Sequence, residues 1–151
     1  MFPDVEIVSQ RPDDSTHRYT YKDWHKRAQS LASALQASGL KQGDRVATLM
    51  WNHYLHLEAY FAIPIVGGVV HTLNLRLHPD ELTYIVNHAA DRFLIVDDVL
   101  LPLFEKIKDR VNIERVFVNS YGGCAPVSGY QDYEQLLQGS PAAPSPIDLD
   151  E

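Results

Sequence analysis

The stretch WNHYLHLEAYFAIPIVGGVVHTLNLRL, Trp51 to Leu77, joins an apolar helix to an apolar strand through Gly67-Gly68. Between His53 and Val66, the residues Leu55, Leu57, Ala59, Tyr60, Phe61, Ile63 and Ile65 fall on nearly every side of a helix. That distribution predicts burial all round, with Pro64 loosening the last turn. The glycine pair lets the backbone turn sharply between two closely packed elements, and Val69-Val70-His71-Thr72-Leu73 reads as the strand that follows. A buried helix running straight into a buried strand belongs to an α/β layer.

Upstream, the turn Lys41-Gln42-Gly43-Asp44 leads into Arg45 to Trp51, a mostly apolar strand of the kind that lies inside a parallel sheet. Before it, Trp24, Ala28, Leu31, Ala32 and Leu35 recur at helical spacing, with Thr20 placed to cap that helix and Gly39 to end it. Glu6-Ile7-Val8-Ser9 and His17-Arg18-Tyr19-Thr20 predict a hairpin at an edge, over about residues 5–21. Downstream, Pro79 opens a helix behind His78, with Asp80 and Glu81 in its first turn and Leu82, Ile85, Val86 and Ala89 facing inward. Phe93 to Asp97 is a strand, Leu101 to Val111 an amphipathic helix, Arg115 to Val118 a strand, and Tyr130, Tyr133, Leu136 and Leu137 mark a short helix. The alternation predicts an α/β fold, an open, doubly wound, mainly parallel sheet with helices on both faces. Residues 1–139 form one subdomain in this reading. Residues 140–151 form a Pro-rich connector with Pro141, Pro144 and Pro146, after which Ile147 to Glu151 reads as the start of something further.

With 151 residues, 45% of them hydrophobic, the chain fits one domain with a real core. Its net charge of −7 and 13 scattered basic residues offer no cationic stripe for nucleic acid or an anionic membrane. The longest apolar run, Ala59 to Val70, is short of the roughly 20 residues of a spanning helix. MFPDVEIVSQ has neither a basic n-region nor a following apolar stretch, and a lone Cys124 excludes an intramolecular disulfide. The expected compartment is the cytoplasm.

The candidate chemistry is sparse. His53 and His56, three apart on a helix, with His71 or His78, could share a metal, but the spacing matches no zinc site and packing is the simpler account. Asp97-Asp98 at a strand end invites comparison with phosphoacceptor domains, yet the next strand ends in Asn119 rather than an acid, so solvated rim acids are expected. Gly67-Gly68 precedes a strand, and Gly122-Gly123 has no lysine beside it, so neither reads as a phosphate loop. Cys124 reads as an inert loop thiol. Trp51-Asn52 ends a strand where α/β sheets place ligand contacts, although Asn52 as a helix cap accounts for it more simply.

YTYKDWHKRAQSLASAL at Tyr19 to Leu35, GDRVATLMWNHYLHLEAYFAIPIVGGVVHTLNLRL at Gly43 to Leu77, and RLHPDELTYIVNHAADRFLIVDD at Arg76 to Asp98 together resemble the amino-terminal part of the acyl-adenylating superfamily. The middle segment is most similar to fatty acyl-CoA ligases and methylthioalkanoate-CoA ligases. Leu75 departs from the proline such ligases often carry there. The resemblance implies the first subdomain of the large domain of an enzyme that converts a carboxylate and ATP to an acyl-adenylate and then to a coenzyme A thioester. ATP, Mg2+ and coenzyme A are implied for the full-length parent, with a fatty or other small carboxylic acid as partner. The family's Ser/Thr/Gly-rich phosphate loop and carboxy-terminal lysine are not among these residues, so the chain is expected to be a fragment, to bind no cofactor and to be silent alone. The resemblance leaves it a scaffold and a part of the substrate wall, with Trp51, Asn52, His71 and Asn74 as candidate contacts. Such a fragment should expose an apolar docking face and self-associate through it. The competing reading is a stand-alone flavodoxin-like interaction or regulatory module without catalysis.

Overall fold

The computed structural model describes residues 2–122, 128–140 and 143–145. β1 (Glu6–Gln10) and β2 (Thr16–Thr20) pair antiparallel with Glu6 opposite Thr20, as a two-stranded sheet of their own. The predicted hairpin forms, but it does not extend the edge of the main sheet. It is held instead on Tyr54: Ser9 Oγ accepts from Tyr54 N at 3.3 Å, Tyr19 donates to Tyr54 O at 3.3 Å, and the His17 ring stacks on Tyr54 at 3.8 Å.

Thr20 caps α1 (Tyr21–Ala37) in a reciprocal box, its hydroxyl accepting from Asp23 N and its own N–H donating to the Asp23 carboxylate. Gly39, at φ +96°, ends that segment. β3 (Arg45–Leu49) leads into α2 (Tyr54–Ile65), where two expectations fail. The cap is His53, whose side chain accepts from Leu55 N, and not Asn52. Nor is α2 buried all round: Tyr60, Phe61 and Ile65 are exposed, whereas His56 and Glu58 are buried. The reason is long-range. Glu58 accepts from Arg27 Nε at 2.7 Å and from the Tyr133 hydroxyl at 2.9 Å, and Arg27 also bonds Glu134, so the polar face of α2 is the one clamped between neighbouring helices.

β4 (Val69–Thr72) follows the glycine pair, and α3 (Pro79–Ala89) starts with His78 as cap and Glu81 closing the box. β5 (Asp91–Asp97) runs into a single 3-10 turn and α4 (Leu101–Glu105). The helix expected over 101–111 stops early. Ile107 N bonds Phe104 O and Arg110 N bonds Ile107 O, three-residue steps that turn Phe104 and Ile107 together into the core. β6 (Arg115–Asn119) is followed by β7 (Gln131–Asp132), a two-residue strand with no signature in the sequence, and by α5 (Tyr133–Gln138), capped by Asp132.

Among the described residues the main sheet has the order β4-β3-β5-β6-β7, and all its pairs are parallel. Leu31, Leu35, Ala59, Ile63, Phe93, Phe117 and Tyr133 form the core between one face and α1, α2 and α5. Leu49, Leu82, Val86, Leu94, Val96 and Phe104 form the core between the other face and α3 and α4. No described helix is long and apolar enough to cross a membrane. Readings that fall on Gly123, Cys124, Pro141, Pro146 and Ile147 to Glu151 lie outside the described residues.

Candidate functional site

The chain leaves β3 toward β4 on one side and returns to β5 on the other, so the connections diverge at the carboxyl ends of β3 and β5. Sheets of this order open a crevice at that point. Here it is occupied by a buried carboxylate. Asp97, the last residue of β5, is fully buried and accepts from Trp51 N at 2.7 Å, from His53 Nε2 at 3.0 Å and from Asn119 Nδ2 at 2.5 Å. One side chain thus ties the ends of β3, β5 and β6. The expectation of solvated rim acids is wrong for both, since Asp98 is buried as well; for Asp97 the apolar run Phe93 to Val96 carries it inward and parallel register sets it beside Asn119.

His53 has both ring nitrogens engaged. Its Nδ1 accepts from Leu55 N at 3.2 Å, so the proton sits on Nε2 and is donated to Asp97. Its ring stacks on Tyr121 at 3.8 Å, and burial, then the Asp97 charge, push the Tyr121 phenol above its ordinary value. His56 is likewise committed: Nδ1 donates to Trp51 O at 3.2 Å and Nε2 accepts from the Thr48 hydroxyl at 3.0 Å. Burial holds its pKa below the usual 6.5. Asp98 Oδ1 accepts from Gly122 N at 2.7 Å and from Val99 N at 2.8 Å, fixing the loop after β6. Asn119 Oδ1 is buried without a partner among the described residues.

Of the four sequence candidates, Trp51 and Asn52 stand exposed on this rim, and the buried Asp97 sets the direction of their backbone. Asn74 follows β4 and turns its Oδ1 into its own loop, accepting from Arg76 N at 3.0 Å. His71 lies within β4, and its Nδ1 bonds Asp91, the first residue of β5, at 2.7 Å. That bond draws it toward the opposite end of the strands, away from Trp51 and Asn52. Burial raises the Asp91 pKa and His71 offsets part of the effect. Among the described residues no three His, Cys, Asp or Glu side chains converge as a metal site. Sequence reasoning missed the Asp97–His53–Asn119 cluster. Its one signal was an acid and an amide ending two consecutive apolar strands.

The sequence profile of the AMP-binding enzyme family matches residues 1–150. The long-chain-fatty-acid–CoA ligase of Thermus thermophilus is 46% identical over 91% of this chain and 25% of its own length. The medium-chain-fatty-acid–CoA ligase of Ectopseudomonas oleovorans is 38% identical over 87% of this chain and 25% of its own. Among solved structures, the anthranilate CoA ligase AuaEII, crystallised with anthranoyl-AMP, matches with a TM-score of 0.81 at 25% identity, over 91% of this chain and 26% of that one. The chain therefore spans about a quarter of the length of the curated relatives it matches.

Proposed function

The chain belongs to the AMP-binding enzyme family, and we propose on that premise that it forms the first α/β subdomain of an ATP-dependent acyl-CoA ligase. The reaction joins a fatty or other small carboxylate to AMP with release of pyrophosphate, and coenzyme A then displaces AMP to give the thioester. The observation that carries this reading is the match across 1–150 together with 46% identity to a fatty acyl-CoA ligase. The compartment it implies is the cytoplasm.

In this reading the segment builds the scaffold. Trp51, Asn52 and Asn74, beyond the carboxyl ends of β3 and β4, supply a part of the substrate wall, while His71 serves packing through Asp91. Adenylation needs cations and backbone amides around the transferring phosphate. The Asp97 carboxylate is already filled by three donors, and among the described residues no three His, Cys, Asp or Glu side chains converge to hold Mg2+. The 151-residue chain by itself is accordingly expected to be inactive.

The test is carboxylate-dependent exchange of pyrophosphate into ATP, run on this chain and on the product of its reading frame continued past Glu151. Exchange with a medium- or long-chain carboxylate in the longer protein, and none in the chain, is the expected result. A stop codon at that point in the native gene would instead favour the stand-alone module.

A further inference from the structure

A cleft of about 250 Å3 lies between the hairpin tip and the rim of the sheet, beside the switch point and separated from the Asp97 carboxylate by the His53–Tyr121 stack. Arg11, Pro12 and Asp13 form one side, and Tyr54, Tyr121 and Gly122 the other. Both aromatic walls are backed by histidines: Tyr54 stacks on His17 at 3.8 Å and Tyr121 on His53 at 3.8 Å. The Tyr121 hydroxyl donates to Gln10 O at 3.1 Å, and Tyr19 meets Tyr54 edge-on at 5.7 Å. Rings held in this way need little further ordering to take a flat partner.

Beside Asp13 and Ser120, the cation lining the cleft is Arg11. Its Nη2 donates to His17 Nδ1 at 3.0 Å, its guanidinium lies 5.9 Å from the centre of the Tyr54 ring, and no carboxylate among the described residues is within ion-pair distance of it. Asp13, the acid of the same turn, is turned onto Ser15, accepting from its N–H at 3.0 Å and its hydroxyl at 2.6 Å. A cation with donors to spare therefore sits beside the Tyr54 wall. The volume is below the span of drug-sized pockets, which sets the ligand at one or two rings.

We propose that this cleft binds a small planar aromatic anion, its rings against Tyr54 and Tyr121 and its charged group on Arg11. The proposal goes beyond the acyl-ligase reading and does not rest on it. The probe is chosen accordingly: 2-naphthalenesulfonate cannot become an acyl-adenylate. Titrated into the 151-residue chain and followed by calorimetry and by amide chemical shifts, it binds saturably at one site, with shifts at Arg11, Tyr54 and Tyr121. Cyclohexanesulfonate, which lacks the flat ring, and 2-naphthol, which lacks the charge, each bind at least about tenfold more weakly. Arg11→Gln removes the advantage of the sulfonate over 2-naphthol, Tyr121→Leu weakens both aromatic probes, and Tyr121→Phe retains them. Equal binding of cyclohexanesulfonate, an unchanged sulfonate preference in Arg11→Gln, shifts elsewhere on the surface, or no saturation would each overturn the proposal. Should Tyr121→Leu fail to fold, the Arg11 variant and the two control ligands decide the outcome.

Discussion

Asp97 does its work because three donors have no other acceptor. Removing the carboxylate in Asp97→Ala leaves the Trp51 N–H, the His53 Nε2–H and the Asn119 amide without it. Orphaned buried donors cost about 1–3 kcal/mol each before relaxation, so a loss of about 3 kcal/mol is expected in urea unfolding. Asp97→Asn should lose less, about 1–2 kcal/mol. A flip of Asn119 brings its unpartnered Oδ1 to the new amide, leaving His53 as the main casualty. Equal losses for the two variants would show that volume, not hydrogen bonding, sets the site. His56 makes a separate prediction with a definite sign. Its folded pKa lies below the unfolded 6.5, so the unfolded chain takes up the proton first. Stability from this group is present above 6.5 and is lost as pH falls below it, by at most about 1.4 kcal/mol per pH unit. The profile of unfolding free energy below 6.5 should flatten in His56→Gln. Part of the slope will remain, because burial and then Arg11 shift His17 in the same direction.

At the scale of elements, the sequence is plain wherever the pattern is local. Thr20 and His78 sit where caps are required, the apolar runs of β3, β5 and β6 are short and bounded, and the alternation gives the parallel sheet. What was not legible depends on distant partners. Nothing near Glu58 in sequence announces that Arg27 and Tyr133 will enclose it, so hydropathy alone put Tyr60, Phe61 and Ile65 inside. β7 has two residues, too few for any period, and the helix expected after Asp98 yields to the tighter turns that bury Ile107. In the candidate site, Trp51, Asn52 and Asp97 were all visible as strand-end residues, but the burial of Asp97 was not, since a buried acid and a solvated one read alike. The sharp turn at Gly67-Gly68 was read correctly, but the strand beyond it is not buried: β4 is the edge of the sheet, with Val69 exposed. A Cβ on Gly68 would stand 2.8 Å from Ile63 Cγ2, 3.1 Å from Ile63 O and 3.1 Å from Leu40 Cδ2, both side chains being buried. Gly68→Ala should therefore destabilise by about 1–3 kcal/mol in thermal and urea unfolding. An unchanged midpoint would mean that α2 and β4 are not locked together at this point.

For the molecule as a whole, the notable feature is where the apolar surface lies. Trp24 meets Phe61 edge-on at 4.8 Å, and Tyr60, Phe61 and Ile65 continue the strip along the outer side of α2 at 43%, 49% and 39% exposure. On a chain with net charge −7 these four residues are all uncharged. Contiguous apolar surface of this kind marks a face built to be covered. For a chain that spans about a quarter of its relatives, we expect the isolated protein to cover it with a second copy. Sedimentation velocity from micromolar to millimolar concentration should then show a reversible shift from monomer to dimer. Phe61→Lys places a charge in the middle of the strip and should return the chain to monomer. Tyr84→Lys, on α3 across the sheet, introduces the same charge at a residue 67% exposed and should leave the dimer intact. A monomer at every concentration would show that Trp24 and Phe61, packed on each other, satisfy the strip without a partner; a dimer insensitive to Phe61→Lys would move the interface elsewhere, with the exposed edge of β4 as the next surface to test.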